Sequence, residues 1–128
     1  MSLKVGAAVN QLLRANADLT ALVGDRIFPV STPSDVMRPF IIYQRTGLNP
    51  SYTKDRGQND SVYLNIAIIS EGYGQSIAVA RAVEKALEGK RGTFAGLDIA
   101  DIKSSDSQEG ADEINFIQDL QFEIFIKK

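Results

Sequence analysis

The 128-residue chain contains neither cysteine nor histidine. Without cysteine there is no disulfide framework, no thiolate metal site and no cysteine nucleophile. That usage fits a reducing compartment. Without histidine the commonest general base and the commonest metal ligand are missing, and a Ser-His-Asp triad is excluded. Catalysis by carboxylates, lysine or tyrosine remains open. No apolar run reaches the roughly 18–20 residues that span a bilayer. The opening MSLKVGAAVNQLL lacks the apolar core and cleavage site of a signal peptide. The expectation is a chain that is soluble and intracellular when made and has no membrane partner.

What is present is ordinary for a globular protein: 44% hydrophobic and 23% charged residues. The length suits one domain over residues 1–128, large enough to bury a core without metals or disulfides. Fourteen basic residues against 16 acidic give a net charge of −2. Proteins that hold nucleic acid by its phosphates are usually basic. Sequence-specific nucleic-acid binding is therefore not expected.

Residues 3–15 carry a helical pattern, with Leu3, Val5, Ala8, Val9, Leu12 and Leu13 at 3.6-type spacing. Asp18 is placed to cap a second short helical turn, with Leu19, Leu22 and Val23 inward. Gly24 is placed to end it. Ile27, Phe28 and Val30 suggest a short strand, which Pro29 confines to an edge or terminates. Residues 31–38 read as a loop and residues 40–45, FIIYQR, as a strand.

The stretch GLNPSYTKDRGQND, residues 47–60, is long, polar and rich in turn formers. Residues 62–70 form the next strand, with Val62, Leu64, Ile66 and Ile68 on one face. Together they predict a hairpin with an extended tip. Within residues 71–88 a helix follows, with the stripe Tyr73, Ile77, Ala80, Val83 and Leu87, widened by Ala78, Val79, Ala82 and Ala86, inward and Gly89 as its C-terminal stop. Residues 97–103 make a weaker strand. Residues 114–126 make a long one, with Phe116, Leu120, Phe122, Ile124 and Ile126 alternating with polar positions. This order predicts an α+β fold: a mainly antiparallel sheet of about four to five strands, with two main helices packed on one face.

Two motifs raise chemical readings. Gly72-Tyr73-Gly74-Gln75-Ser76-Ile77 follows a strand and opens a helix, the context of a dinucleotide loop. Ile77 stands where close helix–strand packing needs a small residue, so the stretch reads as a strand-to-helix turn. Asp98, Asp101, Asp106, Glu109, Asp112 and Glu113 cluster in sequence, and paired carboxylates can bind Ca²⁺ or transfer protons. The EF-hand spacing is absent, and Gly110 with Ser104, Ser105 and Ser107 reads as a solvated loop. No cofactor, no metal and no catalytic residue is assigned. The tip of the long hairpin is a candidate contact surface through Tyr52, Lys54 and Arg56, since tyrosine and arginine are enriched at interfaces. Asp25 and Arg26, after Gly24, can fix a turn or touch another subunit.

Three stretches taken in order resemble the phage tail completion family, also described as tail terminator or head-to-tail joining proteins. The first is the N-terminal helix followed by DLTALVGDRIFP, residues 18–29. The second is PFIIY, residues 39–43, leading through Asn49-Pro50-Ser51-Tyr52 to the strand at Val62. The third is the helix over residues 77–87, followed by two closing strands. The region of residues 93–113 departs from the family's spacing. The resemblance implies a small structural subunit of the virion tail, assembled in the bacterial cytoplasm. It implies a homo-oligomeric ring, often a hexamer in such proteins, with tail tube protein and head connector proteins as partners. The sequence also admits an adaptor or binding module outside phage, and an enzyme working through carboxylates, lysine or tyrosine.

Overall fold

The computed structural model describes residues 2–49 and 60–127. A 3₁₀ turn (Ser2–Lys4) leads into α1 (Val5–Ala15), followed by α2 (Ala17–Val23) and later α3 (Tyr73–Leu87). The strands are β1 (Ile27–Pro29), β2 (Phe40–Asn49), β3 (Asp60–Ser70), β4 (Gly92–Phe94), β5 (Leu97–Ala111) and β6 (Phe116–Ile126). They form one six-stranded sheet in the order β1-β2-β3-β6-β5-β4. β1 runs parallel to β2, and every other neighbouring pair is antiparallel.

The α+β class holds, but the sheet has six strands and is mixed, where four to five were expected. The additional strand is β4, which pairs with β5 across Ala95 and Gly96. Both turn residues have positive φ, 51° and 79°, the backbone that closes a tight hairpin. Three residues with one aromatic carry too little periodicity to be read as a strand.

The helices cover one face of the sheet. Val62, Leu64, Ile66 and Ile68 of β3 and Leu120, Phe122, Ile124 and Ile126 of β6 point beneath them and are buried. This is the alternation that a sheet covered on one face requires. From α1 come Val5, Ala8, Val9, Leu12 and Leu13, all buried. Each Leu, Ile or Phe removed from water in this way contributes roughly 1.5–3 kcal/mol. The sheet curls round α1, which reaches both of its edges. Gln11 Oε1 accepts the Ala95 N–H at 2.9 Å, and Arg14 donates to the Ile27 carbonyl at 3.1 Å.

Several expectations are corrected. Leu3 belongs to the 3₁₀ turn and is exposed, so α1 buries its face from Val5 onward. α2 is capped by Asn16 and not by Asp18: the Asn16 side chain accepts the Leu19 N–H at 2.9 Å. The buried face of α3 is Ser76, Val79, Ala80, Ala82, Val83, Ala86 and Leu87. Tyr73 is exposed and Ile77 half-buried, because small residues let this helix sit close to the sheet on its alanine side. Residues 104–111, read as loop, continue β5. Their side chains are exposed, so no apolar alternation marks them; backbone pairing with β6 makes them a strand. β2 likewise runs on to Asn49, four residues past its expected end, paired with β3 as far as Ser61.

Candidate functional site

The joint between α2 and β1 is built from backbone outward. α2 ends where Gly24 adopts φ 61° and ψ −130°, a region that side-chain-bearing residues avoid. The Gly24 N–H still reaches the Thr20 carbonyl at 2.8 Å, and the Arg26 N–H reaches Val23 at 3.1 Å. The chain then turns into β1. The Arg26 guanidinium, half-buried, donates through Nε to the Pro39 carbonyl at 3.0 Å. The Arg26 carbonyl accepts the Ile41 N–H at 3.0 Å. Arg26 thus fastens the joint to the start of β2. Asp25 is exposed, and its carbonyl accepts the Ile27 N–H at 2.9 Å. Tyr52, Lys54 and Arg56 lie outside the described residues.

The acidic cluster of the sequence is distributed along β5 and its ends. Asp98 bonds the Thr93 hydroxyl. Asp101 and Asp106 each accept the N–H of the following residue at 2.9 Å. Asp112 closes the β5–β6 turn by accepting the N–H groups of Ile114 and Asn115, at 3.0 and 2.8 Å. Those bonds, with the Asn115 side chain, hold its carboxyl below its ordinary pKa. These carboxylates bond locally: Asp98 near the start of β5, Asp101 and Asp106 at its two bulges, and Asp112 in the turn to β6. No group of three or more acidic side chains among the described residues converges as a metal site.

Gly72 caps α3 in extended conformation. The Gly72 N–H donates to Ser70 Oγ at 3.2 Å, and the Ser70 hydroxyl lies 2.6 Å from Gln75 Oε1. The glycine-rich stretch is therefore a strand-to-helix turn closed by its own side chains. Beside it runs a network that the sequence reading did not single out. The Tyr73 hydroxyl donates to Glu109 at 3.0 Å, and Gln118 Nε2 donates to Glu109 at 3.1 Å and to Ser76 Oγ at 3.2 Å. The Ser76 hydroxyl donates to the Tyr73 carbonyl at 2.6 Å. Gln118 is buried. Its signal was a polar residue in the inward phase shared by Leu120, Phe122 and Ile124.

Two surfaces stand out for contact with other molecules. At one end of the sheet Met37, Tyr73, Ile114 and Phe116 are exposed apolar side chains. The Tyr73 and Phe116 rings meet edge to face, 5.9 Å apart. Between α3 and the exposed arm of β5 lies a groove of about 530 Å³, with Ile77, Ala80 and Leu120 beside Arg81, Ser107 and Glu109. Exposed apolar clusters mark protein or membrane contact sites and ligand-binding grooves.

The α+β subunit thus presents an exposed apolar end and a groove beside α3, while its clustered acids bond locally along β5 and at the turn that follows it. The chain belongs to the tail completion protein gp17 family, which matches residues 7–127. This is a family of structural phage tail proteins and not of enzymes. Among solved structures, the chain is similar to one from the virion of a native gene transfer agent particle. The two are 23% identical with a TM-score of 0.77, and the match covers 97% of each chain. A second solved chain is 9% identical with a TM-score of 0.66, covering 100% of this chain and 96% of the other. At these identities the likeness is one of fold. No curated protein matches the chain in sequence.

Proposed function

We propose that the protein, encoded by a phage or prophage, caps the tail tube and completes the tail or joins it to the head, and that it does so as a ring. The observation that carries this reading is the family match over residues 7–127, nearly the whole chain. The partners in this reading are the tail tube protein, head connector proteins and further copies of the chain, six in all. Assembly takes place in the host cytoplasm, and the finished protein resides in the virion tail as a single domain of residues 1–128. Asp25 and Arg26 of the α2–β1 joint are one proposed contact set, Asp25 exposed and Arg26 half-buried with its Nε on the Pro39 carbonyl. Tyr52, Lys54 and Arg56 are the second proposed contact set.

The test is deletion of the gene in its phage or prophage, followed by electron microscopy of the lysate. Filled heads and separate tails, restored to joined particles by the gene in trans, are the expected result. Normal joined virions from the deletion would overturn the assignment.

A further inference from the structure

The sheet is closed at two of its corners and open at the other two. β1 pairs with β2 only at Ile41, Ile42 and Tyr43, leaving the outer edge of residues 44–49 with no partner strand among the described residues. On the far side, β4 pairs with β5 only at Leu97, Asp98 and Ile99. The end of α3 then covers β5 briefly: the Gly89 N–H donates to the Ile102 carbonyl at 2.8 Å, and Glu88 accepts the Ser104 N–H at 2.8 Å. Beyond the bulge between Ser104 and Asp106, residues 105–111 have β6 on one side and, among the described residues, no strand on the other. Unpaired edges of this length invite another strand, and proteins usually block them with proline, lysine or a very short strand. Neither open edge, QRTGLN or SDSQEGA, contains proline or lysine, although each carries charge and lies at a bulge, between Arg45 and Gly47 on β2 and between Ser104 and Asp106 on β5.

We propose that these two edges are the two halves of one contact: the 105–111 edge of β5 pairs with the 44–49 edge of β2 from a second copy of the chain. This rests on the ring reading above and names the surfaces that would build it. Three observations favour a second copy over a foreign strand. First, polarity fits. β2 is antiparallel to β3, β3 to β6 and β6 to β5. β5 therefore runs opposite to β2, and a sheet continued into a neighbour of the same orientation joins them antiparallel. Second, charge fits. The β2 edge carries Arg45, opposite Leu64 on the helix side, and no acid; the β5 edge carries Glu109 on that same side, where it also accepts from Tyr73 and Gln118, and Asp106 on the other face, and no base. Two β5 edges brought together would set like charges against each other. Third, the groove beside α3 borders this same arm through Ser107 and Glu109. It leaves room for helix-side residues of an incoming strand. The contact is heterologous, using a different patch on each copy, and such contacts generate rings when the rotation closes.

The absence of native cysteine makes the test clean. Gln44→Cys and Gln108→Cys place thiols on the two edges, both on the face away from the helices, since Gln44 pairs with Asn65 and Gln108 with Asp119. Purified variants, alone and mixed in equal amounts, are assembled at high concentration or on isolated tail tubes and treated with a short bismaleimide. The expected result is a cross-linked dimer in the mixture and in neither variant alone. In parallel, Ser107→Pro removes an N–H that is bonded to the neighbouring Asp106 side chain and not to β6. That variant is expected to keep its circular dichroism and to stay monomeric where the parent assembles. Rings that form without the mixed cross-link, or a dimer from Gln108→Cys alone, would overturn the edge pairing and leave the ring reading standing. A parent chain that forms no ring even on tubes would overturn both.

Discussion

Arg26 Nε lies 3.0 Å from the Pro39 carbonyl oxygen and donates to it, tying the exit of α2 to the residue that precedes β2. Its sequence neighbour Asp25 points into solvent. The two residues therefore separate cleanly in a mutational test. Arg26→Ala removes a charge-assisted bond from a half-buried site and is expected to lower stability by about 1 kcal/mol. Asp25→Ala is expected to stay within about 0.5 kcal/mol of the parent. Urea unfolding of the purified variants measures both. If Asp25 contacts a neighbouring subunit, its loss shows in assembly assays while the unfolding midpoint stays put.

The cap of α2 gives a second contrast. Asn16 accepts the Leu19 N–H, so Asn16→Ala should cost roughly 0.5–2 kcal/mol. Asp18 sits within the first turn and caps nothing. Its replacement by alanine removes only a helix-dipole interaction, about 0.3–1 kcal/mol at low salt, which shrinks as salt is added. Thermal unfolding at two ionic strengths distinguishes the two: the Asn16 effect is insensitive to salt, the Asp18 effect is not.

Tyr73 offers a pH signature. Its hydrogen bond to Glu109, and then the charge of that carboxylate, hold the phenol above its ordinary pKa. A phenol raised in the folded state favours the protonated form there. Its contribution is complete below the unfolded value and is lost as pH rises through the folded value. Difference absorbance titration of the parent against Tyr73→Phe should show Tyr73 ionising later than an unperturbed tyrosine. Glu109→Gln should bring that transition down. An unmoved transition would mean that the link between α3 and β5 does not persist in solution.

The core prediction is the largest in magnitude. Phe122 is fully buried in the centre of β6, between Leu64 of β3 and Ser104 of β5 in register. Phe122→Ala should cost about 3–5 kcal/mol. On the other face of the same strand, half-buried Gln121 replaced by alanine should cost far less, and chemical denaturation compares the two directly.

The helix stripe of α1 and the alternation of β3 and β6 were legible because each is a local rule: one face of each element must leave water. Gly24 was legible for the same reason, since only glycine takes that backbone cheaply. Asp25 and Arg26 looked alike in sequence, two charges after a glycine. Whether either side chain finds a carbonyl depends on Pro39, thirteen positions beyond Arg26, and no local pattern carries that information. The arm of β5 was missed because its residues are polar on both sides and its partner strand lies further along the chain.

The amino-acid sequence by itself determined the α+β class, the inward faces of the main strands, the absence of thiol and imidazole chemistry, and the family. These follow from composition and short-range periodicity, or from motif order. Only the tertiary structure decided the six-strand order, the parallel placement of β1, the use of each carboxylate and which strand edges stay open. Those depend on pairing between distant segments, where backbone groups that every residue shares do the bonding and side-chain identity leaves little trace. The α2–β1 joint illustrates both halves: Gly24 set the turn, and the fold chose Arg26 to hold it.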